Sequence, residues 1–78
     1  MVKVLLFANI REIIKKTSIN IDANTINQLI ENIKFTYPVL VEPLNSCVIS
    51  VNQSIINDLN YILNETDEIA IIPPISSG

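Results

Sequence analysis

One stretch of this chain limits its possible folds more than any other. In TINQLIENIKFTY, residues 25–37, Ile26, Leu29, Ile30, Ile33 and Tyr37 recur at i, i+3, i+4, i+7 and i+11. That spacing lines one face of an α-helix. Thr25 and Gln28 form a capping-box pattern at its start, and Pro38 closes it. Elsewhere the apolar residues fall in runs short enough for strands. A lone amphipathic helix cannot bury its own stripe and needs a sheet face to cover it.

The flanking segments supply that sheet. VKVLLFA (2–8) is rich in branched and aromatic residues and reads as a strand. NIREIIKK (9–16) carries Ile10, Ile13 and Ile14 at helical spacing, with Lys15 and Lys16 at the end where the helix dipole favours cations. TSINID (17–22) alternates Ile19 and Ile21 with polar residues and reads as a second strand, antiparallel to the first. VLVEPLNS is expected to be irregular around Pro43. CVISV (47–51) is a third strand, Asn52-Gln53 a tight turn and SII a short fourth strand. NDLNYILNETD reads as loop with at most one helical turn. DEIAII (67–72) is the last strand, halted by Pro73 and Pro74, which cannot donate to a sheet ladder. The class is α+β: a mixed sheet of about five strands packed on one main helix.

Composition excludes several classes of function. With 78 residues the chain makes one small domain, and its 49% hydrophobic content argues against disorder. The single cysteine permits no intramolecular disulfide, no apolar run is long enough to span a bilayer, and the start lacks the marks of a signal peptide. A cytoplasmic location is the expectation. Net charge is −3 and the five basic residues are scattered, a poor footprint for nucleic acid or an anionic membrane.

Strand alternation predicts which side chains stand outside the core. Val2, Val4, Leu6 and Ala8 share one face of the first strand, and Lys3, Leu5 and Phe7 the other. In the last strand Ile69 and Ile71 oppose Glu68, Ala70 and Ile72. If these strands are neighbours, Leu5, Phe7 and Ile72 form an apolar patch on the helix-free side, extended by Ile55 or Ile56. Such patches mark interfaces; a covering of short loops is the competing reading.

The chain carries little chemistry of its own. It has no histidine and no glycine-rich loop, and one cysteine cannot build a zinc site. Cys47 alternates with Ile49 and Val51 and is expected to be buried and inert. ETDE, residues 65–68, reads as a solvated turn. Arg11 suits an anion but by default makes a surface ion pair. No bound metal or cofactor is expected. The remaining feature is the ending, PPISSG. Pro73 and Pro74 stiffen an extended segment, Ile75, Ser76 and Ser77 follow, and Gly78 is the only glycine in the chain. Without a Cβ, Gly78 presents an unhindered carboxylate able to pass a narrow slot.

These stretches together resemble a known family, the MoaD-type small subunit of molybdopterin synthase, a ubiquitin-like sulfur-carrier protein. VKVLLFANIREI is similar to the family's opening strand and first helix, VNQSII to its hairpin, and DEIAIIPPISSG to its closing strand and tail. The resemblance spans the whole chain, and the double-proline ending is its most specific part. It implies a β-grasp fold with the domain over 1–73 and a flexible reactive tail over 74–78. It implies that a partner adenylates Gly78 with ATP and that the product becomes a thiocarboxylate. The thiocarboxylate then donates sulfur to cyclic pyranopterin monophosphate inside the large synthase subunit, in a heterotetramer. The chain itself would be a non-catalytic carrier. By motif position Phe7, Ile55 and Ile72 match apolar interface positions and Arg11 a partner contact. Ser77 departs from the family, which normally has glycine there. The same chemistry with another acceptor, in tRNA thiolation or a tungsten-pterin route, and a ubiquitin-like binding module with an idle tail are the alternatives.

Overall fold

The main helix forms where the stripe places it, and its cap shows how. The computed structural model describes residues 1–74. Helix α2 spans Ile26–Thr36 and buries Ile26, Leu29 and Ile33. The N–H groups of its first three residues, which no helix can satisfy internally, have partners, and the first bond of the helix proper follows. Gln28 N–H donates to Thr25 Oγ1 (3.2 Å) and Leu29 N–H to the Thr25 carbonyl (2.9 Å). Ile26 and Asn27 donate to the carbonyls of Tyr61 (3.2 Å) and Leu59 (2.9 Å), in a loop remote in sequence. The Gln28 side chain reaches past the cap and accepts from the Asn24 N–H at 2.9 Å.

The order of elements is β1 (Val2–Leu6), α1 (Ala8–Ile14), β2 (Ser18–Ile21), α2, a 3-10 turn (Pro38–Leu40), α3 (Val41–Leu44), β3 (Val48–Val51), β4 (Ser54–Ile55) and β5 (Glu68–Ile72). The five strands form one sheet in the order β2-β1-β5-β3-β4. β1 and β5 run parallel at its centre, and the other neighbours are antiparallel. Val4, Leu6, Ile69 and Ile71 point from the central strands toward the helices and are at most 2% exposed. Each such side chain contributes about 1.5–3 kcal/mol by leaving water.

Three local expectations need correction. In VLVEPLNS, residues 39–46, expected to be irregular around Pro43, residues 39–44 are helical. Pro38 starts the 3-10 turn, where its missing N–H costs nothing, and Leu40 and Leu44, four residues apart, are buried. Ala8 does not continue β1: Phe7 is the N-cap of α1, and Ala8 is exposed in the helix. Cys47 precedes β3, and its N–H closes the end of α3 by donating to the Leu44 carbonyl at 3.2 Å.

Left-handed backbone, normally the province of glycine, is here assigned to other residues. φ is positive at Ala8 (48°), Lys15 (57°), Asn52 (52°) and Gln53 (71°). The Asn52-Gln53 pair makes a tight hairpin whose twist suits the two strands. Asn52 is held at both ends: its Oδ1 accepts from the Glu68 N–H (2.9 Å) and its Nδ2 donates to Asp67 Oδ1 (3.0 Å). The Asn52 N–H donates to the Glu68 carbonyl at 2.7 Å. Asn52→Ala combines a left-handed penalty with the lost side-chain bonds and is expected to cost about 2 kcal/mol in urea unfolding. Asn52→Gly relieves the penalty and loses only the bonds, so its cost is expected to be about half as large.

Candidate functional site: an apolar groove beside the end of the last strand

The helix-free face of the sheet carries a groove built from alternate strand positions. Leu5 pairs with Ala70 between β1 and β5, Ser50 with Ala70 between β3 and β5, and Ser50 with Ile55 between β3 and β4. Ala70 and Ser50 are buried and small, so they form a floor. Leu5 and Phe7 rise on one side and Gln53 and Ile55 on the other, with Glu68 and Ile72 toward opposite ends of β5. Phe7 is 44% and Ile55 58% exposed, while Ile72 is half-buried. Large side chains around a floor of small ones are shaped to receive an apolar projection.

The structure brings Phe7, Ile55 and Ile72 into this one groove. Arg11 stands outside its lining, exposed on α1 one turn beyond Phe7; its N–H donates to the Phe7 carbonyl at 3.4 Å. Ser50, Gln53 and Ala70 were not singled out from sequence as lining residues. Alternation already put Ala70 on this face. A buried serine opposite an alanine carries no polarity signal that separates floor from core.

β5 ends at Ile72, beside the groove. Pro73 follows half-buried and Pro74 exposed, neither in regular structure. Ile75, Ser76, Ser77 and Gly78, named above as the reactive tail, lie outside the described residues.

Other candidate groups have structural partners. Asp67 accepts from Asn52 Nδ2 (3.0 Å) and from the Asn64 N–H (2.9 Å), locking the start of β5. Glu65 accepts from the amino group of Met1 at 2.7 Å, and this bond holds its carboxyl below the usual range. No group of three or more metal-capable side chains gathers among the described residues. Cys47 is partly buried, with Sγ 3.2 Å from the Pro43 carbonyl, and burial pushes its thiol up.

Comparisons with known proteins now decide the family. The ThiS family model matches residues 4–78. The chain belongs to the ThiS family. It is 43% identical over 81 residues to the molybdopterin synthase sulfur carrier subunit of Dictyostelium discoideum, covering 97% of this chain and 94% of that one. Among solved structures it resembles a chain in the complex of subunits 1 and 2 of the molybdopterin-converting factor from Helicobacter pylori 26695. That match has a TM-score of 0.75 and 32% identity, over 99% of this chain and 97% of the other. It also resembles the small archaeal modifier protein 1 of Methanosarcina acetivorans, with a TM-score of 0.86 and 26% identity, over 99% of this chain and 95% of that one. The fold is the ubiquitin-like β-grasp of these family members.

The raised thiol pKa of Cys47 has a defined sign. Folding favours the neutral thiol, so its contribution to stability is complete below the ordinary value of 9.0 and is lost as pH rises through the raised one. Wild type is expected to lose stability above that ordinary value relative to Cys47→Ala, in urea unfolding followed over alkaline pH. Alkylation of native Cys47 is expected to be slower than that of the unfolded chain at the same pH.

Proposed function

We propose that this chain is the sulfur carrier subunit of molybdopterin synthase, with Gly78 as the group that carries sulfur. The observation that supports this most directly is the 43% identity to a named sulfur carrier subunit across nearly the full length of both chains. The groove beside the end of β5 adds to it, because a carrier needs a docking face next to its reactive tip.

The chemistry follows from what a carboxylate can and cannot do. The Gly78 carboxylate is a poor electrophile. An activating enzyme makes it a good one by letting it attack the α-phosphorus of ATP, with pyrophosphate leaving. Sulfide then attacks the acyl-adenylate carbonyl, AMP leaves with the C–O bond electrons, the S–H proton is lost to water, and a thiocarboxylate remains. In the large synthase subunit that sulfur passes to cyclic pyranopterin monophosphate. The Pro73-Pro74 segment holds φ near −65° and limits the tail's freedom before docking. Ser77 adds a Cβ and hydroxyl next to the reacting residue, so the partner's slot must accommodate them.

Phe7, Ile55 and Ile72 would then dock the large subunit and the activating enzyme in turn, with Arg11 contacting a partner beside them. The partner subunit holds the catalytic residues, and ATP is consumed by the activating enzyme rather than held by this chain. No helix among the described residues is long and apolar enough to cross a membrane. A cytoplasmic location fits a chain with one partly buried thiol and no disulfide. The likeness to a small archaeal modifier protein keeps a second acceptor in view for the same carrier chemistry.

Intact mass spectrometry tests the carrier role. The chain is incubated with ATP, the activating enzyme and a sulfur source, beside a Gly78-deleted control and an active family member. The expected result is exchange of one oxygen for sulfur in the full chain and none in the control. No exchange, with the family member converted in parallel, overturns the carrier role and leaves a binding module. Docking has a separate readout. Ile55→Asp puts a charge on an exposed edge position, so it is expected to weaken large-subunit binding about tenfold or more with the melting temperature unchanged. Addition of the large subunit and cyclic pyranopterin monophosphate to the thiocarboxylate distinguishes the acceptors, since molybdopterin forms only if this is its synthase.

A further inference from the structure

The opposite edge of the sheet is built to pair. β2 is a terminal strand, bonded only to β1. The Thr17 carbonyl accepts from the Leu6 N–H at 2.9 Å, and the pairs Val4↔Ile19 and Val2↔Ile21 share that phase. Antiparallel alternation therefore turns the backbone groups of Ser18, Asn20 and Asp22 away from β1. The Asp22 carbonyl is taken by Asn32 Nδ2. Ser18 and Asn20 have no backbone partner on that side among the described residues. A groove lies at the 20–22 end of this edge, with Met1, Ile21, Asp22, Asn32 and Phe35 in its walls. Phe35 is 87% and Met1 68% exposed, and Phe35 is the most exposed large apolar side chain among the described residues.

We propose that β2 pairs with β2 of a second copy of this chain, antiparallel about a two-fold axis at Ile19, joining two sheets into one. Charge selects this occupant and this register. Residues equally displaced from Ile19 face each other, which sets Ser18 opposite Asn20 of the second copy and, just beyond the ends of the strand, Lys16 opposite its Asp22. The first pair joins outward-facing backbone groups. The second joins opposite charges, and the symmetry makes it twice. A register centred on Asn20 would instead set Lys16 opposite Asn24 and leave the charges unmatched. A two-fold contact must be self-complementary in this way, and an edge bearing a cation at one end and an anion at the other meets the requirement. The added strand also reaches the mouth of the groove, beside Phe35 and Met1. The strand is short, and the charges that flank it oppose indiscriminate pairing, so association is weak and specific to the matching register. The pairing uses neither the groove of Phe7 and Ile55 nor the tail, so it stands or falls apart from the carrier role.

The test is sedimentation equilibrium of the full chain from micromolar to millimolar concentration. The mass is expected to rise from 8.7 kDa toward twice that value. Asn20→Pro removes an outward N–H that the monomer does not use, and is expected to keep the wild-type circular dichroism while remaining monomeric. Lys16→Asp and Asp22→Lys are each expected to weaken association about tenfold, and the two together to restore it. A wild type that stays monomeric at millimolar concentration overturns the proposal. So do single variants that associate as well as wild type, or a double variant that fails to regain association.

Discussion

The parallel pairing of β1 with β5 is the constraint on which the rest depends. It joins the two ends of the described chain, with Val4 beside Ile69 and Leu6 beside Ile71. Closing so long a loop costs chain entropy, which burial of these side chains must offset. Because the strands are parallel, both run out at the same end of the sheet. Phe7 follows β1 there, and Ile72, Pro73 and Pro74 follow β5. An antiparallel pairing would have put Phe7 at one end and Ile72, Pro73 and Pro74 at the other. The nearness of the groove to the point where the chain leaves the sheet, at Pro73 and Pro74, is thus a consequence of strand direction.

The same pairing explains why a chain so poor in glycine can still turn. The loop after β4 must return to start β5, and on its way it crosses the start of α2. There the carbonyls of Leu59 and Tyr61 accept from the helix's free N–H groups. Asn64 and Asp67 then lock onto each other, and Asp67 onto Asn52. The left-handed Asn52-Gln53 turn is held by bonds that form only once β5 has arrived. Strain at the hairpin is offset by tertiary contact rather than avoided by glycine.

Much of this was legible in the sequence, and the reasons are specific. The α2 stripe was readable because five apolar residues on one helical face have no other explanation. The outward side of the sheet was readable because alternation in VKVLLFA and EIAII is unambiguous once one charged residue marks each outer face. Residues 39–44 of VLVEPLNS were misread because Pro43 suggests a break, whereas a proline near a helix start is tolerated. The floor of the groove was not identified because Ser50 and Ala70 owe their position to neighbours on two other strands. The capping of α2 by a remote loop leaves no local trace at all.

By itself the sequence determined the one helix, the strands beside it, the proline stop and the terminal Pro-Pro-Ile-Ser-Ser-Gly pattern. Each of these depends on covalent geometry or on a period that neighbouring residues impose on one another. Only the tertiary structure decided which strands are neighbours, and so which apolar side chains gather into a groove and which edge is left unpaired. Those outcomes depend on register between segments far apart in the chain, and a register is a property of two strands together.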